Sequence, residues 1–82
     1  MKMSFHATQR WKERFPKLDH ENEWDRRRRL GRKGIRNLRK RCPNHLNRLD
    51  RSNPNFYYYI SRKTKIIFVC TVGDIVVTVF PY

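Results

Sequence analysis

The charges of this chain are sorted along it, and that sorting limits what it can fold into. Residues 26–41 (RRRRLGRKGIRNLRKR) hold ten basic residues and no acid, whereas residues 66–82 (IIFVCTVGDIVVTVFPY) carry a single charge, Asp74. A polycationic front is therefore joined to an apolar, sheet-forming tail. Across the whole chain 20 Lys and Arg stand against seven Asp and Glu. A surface this basic repels itself and attracts polyanions, nucleic acid foremost.

The length of 82 residues makes one domain, 1–82, near the lower end of what folds without disulfides or metals. With 38% hydrophobic and 33% charged residues, disorder is the competing reading. Eleven aromatics and the β-branched tail argue for an ordered domain with a small core. The basic segment is expected to be loosely held when no partner is bound. Cys42 and Cys70 read as reduced cysteines, Cys70 in the core; a disulfide stays open, but two cysteines do not make a secreted framework. Two Cys and three His lack zinc-site spacing, so no metal or cofactor is expected. The start MKMSFHATQR has no apolar signal-peptide core. The apolar tail is interrupted at Gly73-Asp74 and is too short for a bilayer. Residues 26–41 offer only Leu30, Ile35 and Leu38 to a membrane surface. The expectation is a cytoplasmic protein without a membrane partner.

Ser4 is the expected N-cap of a helix over residues 5–15, stopped by Pro16. At 100° per residue, Met3, Ala7, Trp11, Phe15 and Leu18 form one core-facing stripe. His6, Arg10 and Arg14 form a second stripe on its flank. Asp19 caps a second helical region with acids early and bases late, as the helix dipole favours. Gly31 and Gly34 weaken its middle, so two helices are expected, over about 20–30 and 32–41. Residues 43–55, rich in Asn and Pro, read as a connector. Strands follow at 56–61, 66–72 and 75–80, the last two joined by Gly73-Asp74 in a two-residue type II′ turn. That turn pairs Val72 with Ile75, Cys70 with Val77 and Phe68 with Val79 on a helix-facing side, and Thr71 with Val76 and Val69 with Thr78 on the other. The predicted fold class is α+β: N-terminal helices (4–42) packed on one face of a C-terminal antiparallel meander (56–82) of three strands or slightly more.

Within this layout His6 is suited to proton transfer near neutral pH. Arg10 and Arg14 supply fixed charge and a fork of donors for a phosphate. The Thr78 hydroxyl can donate to a non-bridging oxygen. Together they form a candidate site for cutting RNA. Each also has a plainer reading: a boundary histidine, surface charges with Glu13 nearby, and a strand-forming threonine. His20 and His45 lie in a helix start and in the connector. The basic run, Arg26, Arg27, Arg28, Arg29, Arg32, Lys33, Arg36, Arg39, Lys40 and Arg41, is the candidate phosphate-contact surface. Among Tyr57, Tyr58 and Tyr59, alternation puts at least one in the core; Tyr57 and Tyr59 are candidates for stacking on bases.

Two segments resemble the barnase–EndoU–colicin–RelE superfamily of small ribonucleases, especially its compact toxin-like members. FHATQRWKERF, at residues 5–15, is similar to an opening helix of the form H-A-x-x-R-x-x-E-R, matched by His6, Ala7, Arg10, Glu13 and Arg14. DIVVTVFPY, at residues 74–82, resembles an ending VVTVYP, with Thr78 at the threonine. The arginine-rich middle departs from typical small members. The resemblance implies a metal-independent endoribonuclease in which 2′-OH attack leaves a 2′,3′-cyclic phosphate, with His6, Arg10 and Thr78 in the site. It also implies a toxin–antitoxin or phage host-takeover setting. The expected partner is RNA (mRNA, tRNA or ribosome-associated), with an acidic antitoxin or host protein as a further candidate. A non-catalytic nucleic-acid-binding module and an inhibitor that binds a host protein are the alternatives.

Overall fold

Residues 66–70 are apolar without interruption, and all five are buried. A strand buried on both sides must lie inside a sheet that is covered on both sides, and this one does. The structure, a computed structural model, describes residues 1–43 and 56–82. Its elements are β1 (Lys2–Met3), α1 (Phe5–Arg14), α2 (His20–Asp25), β2 (Arg27–Arg29), α3 (Arg32–Arg41), β3 (Tyr57–Ser61), β4 (Ile66–Thr71) and β5 (Ile75–Pro81). They build a five-stranded sheet of order β1-β5-β4-β3-β2, antiparallel except for β1, which runs parallel to β5.

The α+β class holds, but the helices cover both faces rather than one. On one face Ala7 and Trp11 of α1 and Trp24 of α2 pack on Ile66, Phe68, Cys70, Val76 and Val79. On the other, Leu38 of α3 and the preceding Leu30 pack on Tyr58, Ile60, Ile67, Val69 and Phe80. Each such side chain contributes about 1.5–3 kcal/mol on burial, so neither half of the core is dispensable. The expected α1 stripe is mostly inside: Met3 and Phe15 pack against the first cluster, while Leu18 remains 38% exposed. Ser4 caps α1, accepting from the Ala7 N–H at 3.1 Å, and Asp19 caps α2 through the Glu21 N–H at 3.1 Å.

The second predicted helix ends five residues early. After Asp25 the chain becomes β2, pairing Arg27, Arg28 and Arg29 with Ser61, Ile60 and Tyr59. Helix propensity of arginine is overridden because β3 would otherwise present an open edge. The hairpin also differs from expectation. Phe68 pairs with Val79 and Val69 with Thr78 as expected, but Cys70 pairs with Val76 and Thr71 with Ile75. Val77 is the extra residue of a β-bulge, and Val72 joins the turn. Gly73 (φ 87°) and Asp74 (φ 56°) both occupy the left-handed region, whereas a type II′ turn needs it only at the first position. The bulge puts Val76 on the α1 face and Val77 on the α3 face. Most of the expected connector, including His45, lies outside the described residues.

Candidate nucleic-acid interface

The stripe on α1 is held against β5. Arg14 Nη1 donates to the Val79 carbonyl at 2.7 Å, and Ser4 Oγ donates to the Val77 carbonyl at 3.3 Å. These two bonds bracket Thr78 from both ends of α1. They satisfy carbonyls of β5 beyond the short stretch paired to β1, which reaches only Ile75 and Val76. Arg14 is thus fixed at one end while the rest of its fork faces solvent, a state in which it can still donate to an anion.

The other members of the sequence-derived site are less closely joined. His6 is exposed and makes no hydrogen bond among the described residues. Arg10 is engaged with Glu13 at 2.8 Å, an exposed i,i+3 pair. Thr78 is half-buried, and its pairing with Val69 directs it to the α3 face, away from the face on which α1 packs. No hydrogen bond links His6 to Thr78 among the described residues. The fold therefore brings Arg14 to the strand that carries Thr78, but leaves His6 and the Thr78 hydroxyl apart.

The arginines of β2 divide by alternation. Arg27 and Arg29 share a face with Ser61 and Tyr59, and Arg28 shares the opposite face with Ile60. Trp24, Tyr59 and Tyr57 form a row of edge-on rings with centroids 5.2 and 5.7 Å apart. The Arg27 guanidinium lies 4.0 Å over Trp24 and 5.0 Å from Tyr59, and Arg29 lies 5.1 Å from Tyr57. Arg27 Nη1 also donates to the Trp24 carbonyl at 3.0 Å, leaving its Nε buried without a partner among the described residues. Cation–π contact offsets part of that cost. Tyr57 is further tied to Asp74, donating to Oδ1 and accepting from the backbone N–H, both at 3.1 Å. The candidate base-stacking rings, Tyr57 and Tyr59, are thus already partners of arginine and of each other.

The face covered by α3 is different. Arg32, Lys33, Arg36, Arg39, Lys40 and Arg41 crowd this one helix, which contains no acid. All six acids of the described residues are elsewhere: Glu13 is on α1; Asp19, Glu21, Glu23 and Asp25 cap or belong to α2; Asp74 is bound to Tyr57. Beside α3 an open cleft of about 350 Å³ is rimmed by Arg28, Arg41 and Lys65, with Tyr82 in its wall. The sequence reading singled out neither Lys65 nor Tyr82. Arg41 lies 4.6 Å from the Tyr82 ring.

Glu23 is a second feature that the sequence did not single out. It is buried, and its Oε2 accepts from Ser61 Oγ and Thr64 Oγ1, both at 2.6 Å. Burial alone would raise its pKa, but these two hydroxyls, with Arg26 and Lys63, outweigh burial and hold the carboxyl below its ordinary value. The knot ties α2 to the β3–β4 turn. The spacing of Ser61 and Thr64 around that turn was the available signal. Among the described residues no three His, Cys, Asp or Glu are grouped as a metal site would need. No helix there is long and apolar enough to cross a membrane.

No protein-family model matches the chain, and comparison with curated proteins and with solved structures gave no match.

Proposed function

We propose that this chain binds RNA through its arginine-rich surface and cuts it at the α1–β5 junction, as a small metal-independent endoribonuclease of the toxin-like kind that it resembles. The observation that carries the binding half is the separation of charge: every described acid lies on α1, at α2 or against Tyr57, and every charged residue of α3 itself is basic. Phosphate neutralisation by such a surface is driven by counterion release and needs no base contact.

The cleavage half is supported by Arg14, fixed by Val79 beside Thr78 with donors to spare, and by His6 on the same helix. In the proposed reaction the 2′-oxygen loses its proton and attacks phosphorus. The bond to the 5′-oxygen breaks, and that oxygen leaves with a proton. The products are a 2′,3′-cyclic phosphate and a 5′-hydroxyl. His6 is the proton-transfer group and Arg10 and Arg14 hold the phosphate; Thr78, turned to the α3 face, is left out of this step. For this, Arg10 exchanges Glu13 for the phosphate, at a site that the gap between His6 and Thr78 leaves without the Thr78 hydroxyl.

That gap favours a second reading, a binding module without catalysis. Incubating end-labelled RNA with the native chain and with His6→Ala separates the two. Cleavage by the native chain alone supports the enzyme. Equal gel shifts with intact RNA support the module, provided that translating ribosomes, used as substrate in a parallel reaction, are also left uncut.

A further inference from the structure

The cleft beside α3 opens on the face of the sheet away from α1, so the proposed cleavage site does not use it. Its cations come from three segments far apart in sequence. Arg28 stands in the middle of β2, where pairing with Ile60 turns it away from the rings that hold Arg27 and Arg29. Arg41 comes from the last turn of α3 and rests on the Tyr82 ring. Lys65 comes from the β3–β4 turn with φ 60°, and its carbonyl accepts the Tyr82 N–H at 2.9 Å. That bond ties the left-handed turn to Tyr82 in the wall of the cleft.

Three like charges that line one cleft with no acidic side chain among its described lining residues repel one another. Elsewhere the chain gives converging cations a partner: Arg10 has Glu13, Arg14 a carbonyl, Arg27 two rings. Here Arg41 has the Tyr82 ring, but no acidic side chain among the described lining residues answers Arg28 and Lys65. The volume of about 350 Å³ lies at the small end of ligand clefts and suits a nucleotide rather than a duplex. Asn37 supplies an amide donor and acceptor, and Leu30 and Ile60 an apolar wall.

We propose that this cleft is a docking subsite for one nucleotide of single-stranded RNA, with Arg28, Arg41 and Lys65 on its phosphate and Asn37 beside its base. The inference rests on the reading of the chain as RNA-binding, and it adds a grip on the face opposite α1.

The test measures the affinity of the full chain for a ten-nucleotide single-stranded RNA by fluorescence anisotropy at several salt concentrations. The variants are the pair Arg28→Gln with Lys65→Gln and, as a charge-matched control, Lys12→Gln with Lys17→Gln; thermal melts establish that each folds. The cleft pair is expected to lose about tenfold in affinity and to flatten the salt slope by about 1.4, the share of two phosphate contacts on a single strand. The control is expected to lose less than twofold. Equal losses in both pairs would mean general electrostatics and overturn the subsite, while RNA binding as such stood. No binding by the native chain would overturn the RNA reading and the subsite together. Amide NMR titrations with uridine 5′-monophosphate and with inorganic phosphate separate the sources. Shifts at Gly34, Asn37 and Tyr82 that the RNA reproduces support the proposal. Shifts with the small anions that RNA does not reproduce reject RNA as the occupant.

Discussion

Arg14 reaches 65 residues along the chain to donate to the Val79 carbonyl at 2.7 Å. With Ser4 on Val77, it fastens both ends of α1 to the strand that carries Thr78. The same guanidinium is therefore a structural clamp and the basic group nearest to that strand in the proposed site.

Replacing Arg14 separates the two roles. Arg14→Ala is expected to lower stability by about 1 kcal/mol, the worth of one partly exposed hydrogen bond, measured by urea unfolding. At concentrations where the variant is fully folded, cleavage of RNA is expected to fall by tenfold or more, because the phosphate loses a charged donor. A loss of activity no larger than the folded fraction explains would confine Arg14 to the clamp.

Glu23 gives the fold a pH dependence of definite sign. Its folded pKa lies below the ordinary value of 4.5. Its contribution is therefore present above that value and is lost as pH falls through the lower folded value. Stability of the native chain is expected to decline with acid below about pH 4.5, and less steeply in Glu23→Gln, as read from thermal melts at a series of pH values. Glu23→Ala leaves the buried Ser61 hydroxyl and the half-buried Thr64 hydroxyl without their carboxylate acceptor and is expected to cost about 1–3 kcal/mol at neutral pH.

The two cysteines are expected to react differently. Burial, with a smaller contribution from Asp74, pushes the Cys70 thiol up to about 12 against the pull of Arg27, while Cys42 is only partly buried. At pH 8 an alkylating reagent is expected to modify Cys42 alone in the folded chain and both in denaturant, a difference that mass spectrometry resolves. Rapid modification of Cys70 under native conditions would show the first core cluster to be open.

Both faces of the sheet are expected to unfold together. Trp11 stacks on Phe68 with centroids 5.9 Å apart on one face, and Leu38 is fully buried on the other. Trp11→Ala is expected to cost about 3–5 kcal/mol and Leu38→Ala about 2–5 kcal/mol, each with a single transition. Two separated transitions in either variant would show that α3 docks as an independent unit.

What the sequence revealed of this fold was local. Ser4 and Asp19 are caps whose partners lie two or three residues away, and the apolar strands of the meander are contiguous. β2 was illegible because its reason is remote: Arg27 and Arg29 leave the helix for rings at Trp24, Tyr59 and Tyr57, and the edge they cover belongs to β3. The bulge at Val77 was hidden because alternation alone allows no extra residue. The second helical face was foreshadowed by Ile66 to Cys70, apolar on both sides of the strand. The cleft could not be seen at all, since Arg28, Arg41 and Lys65 meet only once the sheet and α3 are assembled.

RNA binding itself is expected to weaken steeply with salt. With about five phosphate contacts on a single strand, affinity falls roughly hundredfold between 50 and 200 mM salt. A salt-insensitive complex would point to a protein partner recognised by shape.

The most direct measurement is cleavage of total cellular RNA by the native chain and by His6→Ala, each with and without EDTA, with the fragment ends analysed. The expected result is fragments ending in 2′,3′-cyclic phosphate, unaffected by EDTA and lost in His6→Ala, while the variant still shifts RNA on a gel. RNA left intact by the native chain, both free and on translating ribosomes, would contradict the ribonuclease and leave a binding protein.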